Sequence, residues 1–283
     1  MQLGIFARTF SRPGFVETFD AVKEHGLNCL QFNFACAGLS SMPESIEPAL
    51  AHRIRAAIEA KSLSMAAVSG TCNLIHPDPI QRAKNLNCLR TIIRAAREIG
   101  TQIVTLCTGT RDAQDMWKAH PENSSPEAWH DLLRSIEPLL TIAEEYGIML
   151  GIEPEPANVI NSAQSADKFL REVKSTSLRI VFDAANLVAS HGIEQQSRVL
   201  SEACDLLGSE IVIAHAKDLV VAGSPGVNPS YTTVAAGKGQ LAYDFYISIL
   251  QKAGFVGPMI LHSLNEDEVP EAIGLMREKL NVS

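Results

Sequence analysis

The stretch Met149-Leu150-Gly151-Ile152-Glu153-Pro154-Glu155-Pro156 joins a short apolar run to two carboxylates that alternate with prolines. Side chains alternate faces along a strand, so Glu153 and Glu155 point to the same side. Proline brings no N–H to a sheet ladder, so Pro154 and Pro156 end the pairing. The stretch predicts a strand that delivers acids to its carboxyl end, as strands do at a βα-barrel active site. The alternative interpretation is a strand edge that ends in solvated glutamates.

Strand-like runs alternate with amphipathic stretches along all 283 residues. The predicted strands are Leu3–Ala7, Leu27–Phe32, Ser64–Ser69, Gln102–Cys107, Ile148–Ile152, Leu178–Phe182, Ile211–Ala214 and Pro258–Leu261. The predicted helices are Gly14–His25, Pro43–Lys61, Pro79–Ile99, Pro126–Tyr146, Ala163–Lys174, Gln195–Leu207, Ala242–Ala253 and Pro270–Leu280. Strict alternation predicts an α/β fold, and eight βα units predict a single (β/α)8 TIM barrel over residues 1–283. An open doubly wound sheet is the alternative, although no G-x-G-x-x-G follows an early strand.

Two long loops are predicted, from Thr108 to Ser125 after strand four and from Leu219 to Leu241 after strand seven. Loops that follow the strands of a barrel lie at its catalytic face. Long loops at such a face commonly serve as lids or substrate walls.

Composition narrows the function classes. The formal net charge is −8 and the pI is about 5.5, which argues against general nucleic-acid binding. No apolar run of about 18 residues predicts a membrane span. The start, Met1–Phe6, enters a strand without the features of a signal peptide. The six cysteines form no C-x-x-C pair, so reduced core thiols and a cytoplasmic location are expected.

Four predicted strands end on a metal-ligating residue type: Glu153, Asp183, His215 and His262. Each is the first ionisable residue after its apolar run, and the strand ends of a closed barrel converge on one mouth. Two carboxylates and two imidazoles there predict a divalent-metal site. The mixed oxygen and nitrogen donors favour Mn²⁺, with Co²⁺, Fe²⁺, Zn²⁺ or Mg²⁺ as alternatives. Taken singly, a strand-end Asp also fits a helix cap, and a His also fits a hydrogen-bonded role.

The set Glu153, Asp183 and His215-Ala216-Lys217-Asp218 on eight βα units resembles the xylose isomerase-like TIM-barrel superfamily. That superfamily holds sugar isomerases and epimerases, inosose dehydratases and endonuclease IV repair enzymes. The resemblance covers essentially the whole chain. The segment Gly237–Tyr243 is typical of the sugar epimerase-like branch. The segments Ser69–Asp78 and Thr105–Asp112 resemble a subgroup of sugar phosphate isomerases or epimerases.

The resemblance implies that Glu153, Asp183 and His215 ligate a divalent metal. It also implies a fourth ligand at the end of strand eight, which is usually glutamate and here is His262. Epimerases of this family move a proton with two glutamates on opposite faces of the substrate. Because His262 departs from that arrangement, Glu155 is the next carboxylate to consider. A second departure is Asn186, which stands where Asp-x-x-His is common after strand six.

The predicted catalytic residues are Glu153, Lys217 and Glu155. The predicted metal ligands are Glu153, Asp183, His215 and His262. Lys217 either stabilises an enediolate or forms a salt bridge with Asp218. The predicted substrate-binding residues are Arg8, Asn33, His76, Arg111, Trp117, His120, Asn186 and Lys238. The alternative for the loop residues is ordinary packing, and for His76 a turn before Pro77.

The leading functional hypothesis is a metal-dependent isomerase or epimerase of a keto or aldo sugar or sugar phosphate, acting through a metal-stabilised enediolate. A lyase on the same site, such as an inosose-type dehydratase or a keto-glycoside eliminase, is the second hypothesis. An endonuclease IV-like enzyme would need more histidines and a basic DNA face. A non-catalytic sugar-binding protein is the last alternative. The expected partner is a small carbohydrate, with no nucleic acid or membrane, in a homodimer or homotetramer.

Overall fold

The structure is a computed structural model that describes residues 1–222 and 230–281 of the chain. Within them, eight parallel strands close into a barrel in the order β1-β10-β7-β6-β5-β4-β3-β2. The barrel strands are β1 (Gln2–Phe6), β2 (Cys29–Phe32), β3 (Ser64–Ser69), β4 (Ile103–Leu106), β5 (Met149–Ile152), β6 (Leu178–Asp183), β7 (Ile211–Ala216) and β10 (Pro258–Leu261). The predicted (β/α)8 barrel is confirmed.

Helices surround the barrel. They are α1 (Phe15–Glu24), α2 (Pro48–Ala60), α3 (Pro79–Ile99), α4 (Pro126–Tyr146), α5 (Ala163–Val173), α6 (Ala184–Ala189), α7 (Gln196–Leu207), α8 (Tyr243–Lys252) and α9 (Val269–Leu280). An antiparallel hairpin, β8 (Asp218–Ala222) and β9 (Ser230–Val234), follows β7. Each predicted barrel strand agrees with the structure to within two residues at either end.

One predicted helix, Pro43–Lys61, begins too early. The structure starts α2 at Pro48, and Glu47 before it is extended, with ψ of 133°. A proline pushes the residue before it out of the helical region, while proline itself fits the first helical position. Pro48 therefore sets the start of α2, and residues 43–46 precede the helix.

The prediction of a long loop from Leu219 to Leu241 is wrong at residues 219–222 and 230–234, where β8 and β9 form the hairpin. Val220 and Val221 of β8 and the run Tyr231–Val234 of β9 are the β-branched and aromatic types that strands prefer, but strict βα alternation left no place for them. Residues 223–229 of that predicted loop lie outside the described residues. Helix α6 was also not predicted, because it begins immediately after Asp183 without a separating loop.

The hydrophobic core has two parts. A small cluster inside the barrel contains Cys29, Ala67, Val181, Ile213 and Ile260. A larger cluster fills the layer between the strands and the helices. All six cysteines are buried and free, in agreement with their predicted core role. Among the described helices, none combines the length and apolar character that crossing a membrane would need.

Asp131 of α4 connects three arginines that come from different places in the sequence. Its Oδ2 lies 2.5 Å from Arg82 Nη1 and 2.7 Å from Arg111 Nη2, and Arg134 contacts its other oxygen. Burial alone would raise the pKa of Asp131, but the guanidinium groups outweigh it and hold that pKa well below its usual range. This carboxylate therefore fastens α3 and the loop after β4 onto α4.

We expect Asp131→Asn to lower the free energy of unfolding by about 1.5–3 kcal/mol at pH 7, because charge-assisted hydrogen bonds are lost. The native pKa is depressed, so the stabilisation is complete above the unfolded pKa of ~3.9 and is lost as pH falls toward the native pKa. Urea unfolding at pH 7 and pH 3 measures this. The difference between wild type and variant should shrink by about 1 kcal/mol at pH 3. Exposed Asp267→Asn is the control, and an unchanged difference would contradict the prediction.

Candidate metal centre

Three predicted ligands converge at the carboxyl ends of neighbouring strands. Glu153 follows β5, Asp183 ends β6, and His215 lies directly opposite Asp183 in β7. His215 Nδ1 is 3.3 Å from Glu153 Oε1 and 3.3 Å from Asp183 Oδ2. One ligand atom from each of the three residues lies within 4.8 Å of the others. Asp183 and His215 are buried, and the Glu153 side chain is 12% exposed.

The facing atoms of this group are not hydrogen-bonded. Within the described residues, Asp183 Oδ2 and His215 Nδ1 are buried without a hydrogen-bond partner, although only 3.3 Å separates them. Their outer atoms are held: Asp183 Oδ1 accepts the Asn186 N–H at 3.1 Å, and His215 Nε2 lies 3.3 Å from Gln31 Oε1. When Nε2 of the neutral ring carries the proton and donates it to Gln31, Nδ1 is unprotonated and can offer its electron pair to a metal. The donor set thus fits a divalent cation.

Lys217 lies beside the same group, with Nζ 3.1 Å from Asp183 Oδ2. We call Glu153, Asp183, His215 and Lys217 the charged floor. Burial opposes the charge on His215, but Glu153 and Asp183 outweigh it and raise its pKa to about 9. Burial also disfavours the charged forms of Lys217 and Asp183, but the attraction between the two charges outweighs it. The pKa of Lys217 is therefore raised, and the pKa of Asp183 is lowered. A bound metal would displace the proton from His215.

The alternative salt bridge from Lys217 to Asp218 is not present. Asp218 is buried, and its carboxylate accepts the backbone N–H groups of Leu219, Gly237 and Leu241 at 2.8, 3.1 and 2.9 Å. A Cβ on Gly239 would lie 2.3 Å from Asp218 Oδ1, so this close approach requires glycine. The H-x-K-D motif and the Gly237–Tyr243 segment, separate in sequence, are therefore joined at one carboxylate.

Glu155 lies beside Glu153, as strand alternation predicts. Asn186 Nδ2 donates to Glu153 Oε1 at 2.8 Å and to Glu155 Oε1 at 2.9 Å, so one amide holds both carboxylates. Burial, and then the charge of Glu153, raise the pKa of Glu155 to about 7. Cys107, which sequence reasoning assigned only to the core, also comes within ligand distance of these two glutamates. Burial raises the pKa of its thiol well above the usual value.

His262, the predicted fourth ligand, lies outside the group formed by the other three. Its ring stacks between Phe6, at 4.7 Å and 12°, and His215, at 4.8 Å and 23°. His262 Nδ1 lies 3.1 Å from Ser263 Oγ. Burial, and then the charges of His215 and Lys217, lower the pKa of His262 well below its ordinary value. The structure thus packs this ring against His215, and its role as a fourth ligand stays a prediction.

A cavity of about 550 Å³ opens above the charged floor. Binding sites for small molecules are commonly cavities of this size with a few convergent polar groups. The predicted site residues that line it are Arg8, Asn33, Trp117, Glu153, Glu155, Asn186, Lys217 and His262. Sequence reasoning missed Tyr231 and Thr233, which also line it. Their alternation along a strand was the available signal, but β9 had been assigned to a loop.

The structure does not bring four predicted substrate-binding residues to this cavity. Arg111 pairs with Asp131, and Lys238 Nζ pairs with Glu271 Oε2 at 2.5 Å on the surface. His76 Nδ1 accepts the Asp78 N–H at 3.2 Å, which agrees with the turn interpretation, and its Nε2 lies 3.1 Å from Ala113 O. His120 Nδ1 accepts the Glu122 N–H at 3.2 Å and caps a short 3₁₀ helix. These contacts stabilise the loops after β3, β4 and β7.

A closed parallel barrel with acids and a histidine at its strand ends defines a TIM-barrel class with a candidate metal centre. The chain belongs to the xylose isomerase-like TIM barrel family, whose model matches residues 19–279. A relative over the full length of this chain is an uncharacterized protein of Methanocaldococcus jannaschii. It is 20% identical over 286 residues, which cover 100% of this chain and 90% of the relative.

Several solved structures share the fold. A D-tagatose 3-epimerase-like protein has a TM-score of 0.76 at 16% identity, covering 99% of this chain and 97% of its own. The 3-keto-D-glucoside 4-epimerase YcjR of E. coli has a TM-score of 0.74 at 16% identity, covering 98% and 99%. The IolI protein with a bound zinc atom has a TM-score of 0.74 at 17% identity, covering 99% and 98%. At these identities the likeness establishes the fold alone.

Proposed function

We propose that this protein is a divalent-metal-dependent isomerase or epimerase of a keto or aldo sugar. The observation that carries the proposal is the convergence of Glu153, Asp183 and His215 beneath a cavity, where Asp183 Oδ2 and His215 Nδ1 are buried without a hydrogen bond. Epimerases and a zinc-containing protein among the structural relatives support it. Oxygen and nitrogen donors together favour Mn²⁺, with Mg²⁺, Zn²⁺, Co²⁺ or Fe²⁺ as alternatives. A small carbohydrate substrate and a cytoplasmic location belong to the proposal, and the oligomeric state stays a prediction.

The residues of the charged floor have distinct roles in this proposal. Glu153, Asp183 and His215 hold the metal, and Gln31 fixes the orientation of the His215 ring. The metal, when bound, polarises a carbonyl and its neighbouring hydroxyl. Lys217, fixed against Asp183, stabilises the negative charge that develops on the substrate oxygens.

Proton transfer falls to the carboxylates of Glu153 and Glu155. Glu155 shares the Asn186 amide with Glu153 and is not in the proposed ligand set, and it takes the proton from the carbon next to the carbonyl. Returning that proton to the neighbouring carbon on the same face interconverts an aldose and a ketose. Epimerisation at one carbon instead needs a second group on the opposite face. Because Asn186 holds both carboxylates together, the arrangement favours isomerisation.

A lyase is the second candidate, and the replacement of a strand-eight carboxylate by His262 favours it. Elimination needs one base beside the carbonyl and one acid for the leaving group. Glu155 can supply the base, and Lys217 can supply the acid when a bound metal lowers its pKa, without a second carboxylate on the other face. The leaving group departs with the electron pair of its bond to carbon and receives a proton. This candidate uses the same charged floor.

Metal analysis tests the proposal directly. We expect purified wild-type protein to hold about one divalent ion per chain after incubation with Mn²⁺, and Glu153→Gln and His215→Ala to hold almost none, because each removes a ligand. Elemental analysis after gel filtration measures the content. The matched controls are Glu145→Gln and His130→Ala, which change residues away from the cavity. Equal metal content in all five proteins would overturn the proposed centre.

Hydrogen exchange separates the two candidates. Candidate aldoses, ketoses and 3-keto-glycosides are incubated with Mn²⁺-loaded protein in D₂O and followed by NMR and mass spectrometry. Deuterium at the carbon beside the carbonyl with the substrate otherwise intact supports isomerisation, and loss of water or an aglycone supports the lyase. Glu155→Gln should remove either reaction while metal content persists. No exchange with any of these sugars would count against both.

A further inference from the structure

The cavity changes in character between its base and its opening. The charged floor is buried, whereas two aromatic side chains at the opening are exposed: Trp117 by 53% and Tyr231 by 37%. We call these two side chains the aromatic rim. Six large hydrophobic side chains are exposed among the described residues, and of these only the two in the aromatic rim line the cavity. Exposed aromatic surface at a cavity is characteristic of binding sites.

The exposure of Trp117 does not come from a loosely held loop. The Asn73 side chain makes two hydrogen bonds with the backbone of Thr110. Its Nδ2 donates to the Thr110 carbonyl at 2.8 Å, and its Oδ1 accepts the Thr110 N–H at 3.2 Å. The Thr110 hydroxyl donates to Lys118 O at 2.8 Å, and Asp115 accepts the Trp117 N–H at 2.9 Å. The Asn158 side-chain amide also donates to the carbonyl of Met116, the residue before Trp117. The loop therefore holds the backbone of Trp117 in a fixed place.

The backbone of Tyr231 is fixed in a comparable way from the other side. It belongs to β9, which pairs with β8, and β8 begins at the buried Asp218 that binds three backbone N–H groups. Thr233 lies two residues further along β9 and also lines the cavity. Two separately anchored loops thus bring one aromatic ring each to the same opening.

The second tryptophan of the chain shows the ordinary structural use of this residue. Trp129 packs its ring edge-on against Phe169 at 5.8 Å, and its Nε1 donates to Glu172 at 2.9 Å. By contrast, the Trp117 indole makes no ring stacking or side-chain hydrogen bond with any other described residue. Its ring is available for a ligand.

The charge of the cavity narrows the chemistry of that ligand. The cavity is lined by two carboxylates, Glu153 and Glu155, and by two cations, Arg8 and Lys217. Arg8 is the only exposed cation among the described lining residues. The side chains of the lining therefore carry no excess of positive charge to select a dianionic phosphate. The ring faces of sugars and arenes are apolar and stack on aromatic side chains.

We propose that the aromatic rim is a subsite for a second ring, so that the substrate carries a sugar or aromatic group linked to the sugar that reacts. The linkage leaves a carbonyl free on the reacting sugar, as the proposed function requires. The reacting sugar occupies the charged floor, and the sugar or aromatic group linked to it stacks on Trp117 and Tyr231. This assignment of the reacting sugar rests on the proposed function of the floor. The subsite itself binds without turnover.

The test uses Trp129→Phe protein, in which Trp117 is the single tryptophan and reports on the rim. Fluorescence is titrated with phenyl β-D-glucopyranoside, methyl β-D-glucopyranoside and glucose 6-phosphate. The phenyl glycoside should change the Trp117 emission and bind about 3- to 10-fold more tightly than the methyl glycoside. Calorimetry on Trp117→Ala and Tyr231→Ala should show the phenyl affinity reduced to the methyl level, with the methyl affinity retained. Val256→Ala, an exposed apolar residue elsewhere, is the control.

Equal affinities for the two glycosides, or discrimination that survives both aromatic substitutions, would overturn the subsite. Tighter binding of glucose 6-phosphate would also overturn it and would point to Arg8. Repeating the titration in Glu153→Gln separates this inference from the proposed function. A ring preference that persists there supports the rim even if metal analysis rejects the floor as a metal site.

Discussion

Asp183→Ala is expected to lower the free energy of unfolding of the metal-free protein by about 3–5 kcal/mol, the usual cost of removing one partner from a buried ion pair. Asp183 is fully buried, pairs with Lys217 at 3.1 Å, and caps α6 through the Asn186 N–H. Without it, the Lys217 ammonium is left in the interior with fewer compensating charges. Urea unfolding after chelation at pH 7 measures the effect.

Two further variants separate the charge from the helix cap. Asp183→Asn keeps an oxygen that accepts the Asn186 N–H and removes the negative charge, so most of the loss should remain if charge compensation dominates. Exposed Asp267→Ala should change stability by less than about 0.5 kcal/mol. A loss below about 1 kcal/mol for Asp183→Ala would show that Lys217 is not a buried counter-charge.

The second large effect concerns His262 and metal affinity. His262→Ala is expected to weaken Mn²⁺ binding about 10- to 100-fold, as is usual when a residue that orients a ligand is removed. His262→Phe should retain affinity to within about 3-fold, because a phenyl ring preserves the stack on His215. If His262 were itself a ligand, alanine and phenylalanine would reduce affinity alike. Calorimetric titration of chelated protein distinguishes these outcomes.

Phe6 provides an internal control for this interpretation. It covers the other face of His262, so Phe6→Ala should loosen the stack and cause a smaller loss of affinity in the same direction. An exposed histidine away from the cavity, His130, should be neutral when replaced by alanine. Unchanged affinity in both Phe6→Ala and His262→Ala would show that His215 needs no support from the stack.

The residues at strand ends were predictable because a barrel leaves little freedom in their placement. Once the eight apolar runs are recognised, the first polar residue after each must reach the same opening, which places Glu153, Asp183 and His215 together. Alternation likewise placed Glu155 beside Glu153. These inferences need only strand period and chain direction, and both can be read from the sequence.

Other features depend on side-chain directions that the sequence does not define. His262 occupies a strand end, as expected, but its stacking depends on the lateral order of β1, β10 and β7. Arg111 lies in a loop of the catalytic face, yet it turns toward Asp131 because that buried carboxylate attracts it. The hairpin was missed because regular βα alternation was given more weight than the β-branched residues of β8 and β9. The role of Tyr231 was missed with it.

The attachment of both ends of one segment to Asp218 has a consequence for how this protein can change. The N–H groups of Leu219 and Gly237 bond to the same carboxylate, so the intervening stretch leaves and rejoins the barrel at nearly one point. We expect exchange of residues 220–234, with the buried Ala235 and Ala236 retained, to leave the positions of Asp183 and His215 unchanged. Selectivity can diversify at that segment while the reaction chemistry is retained, which makes it a natural target for directed evolution.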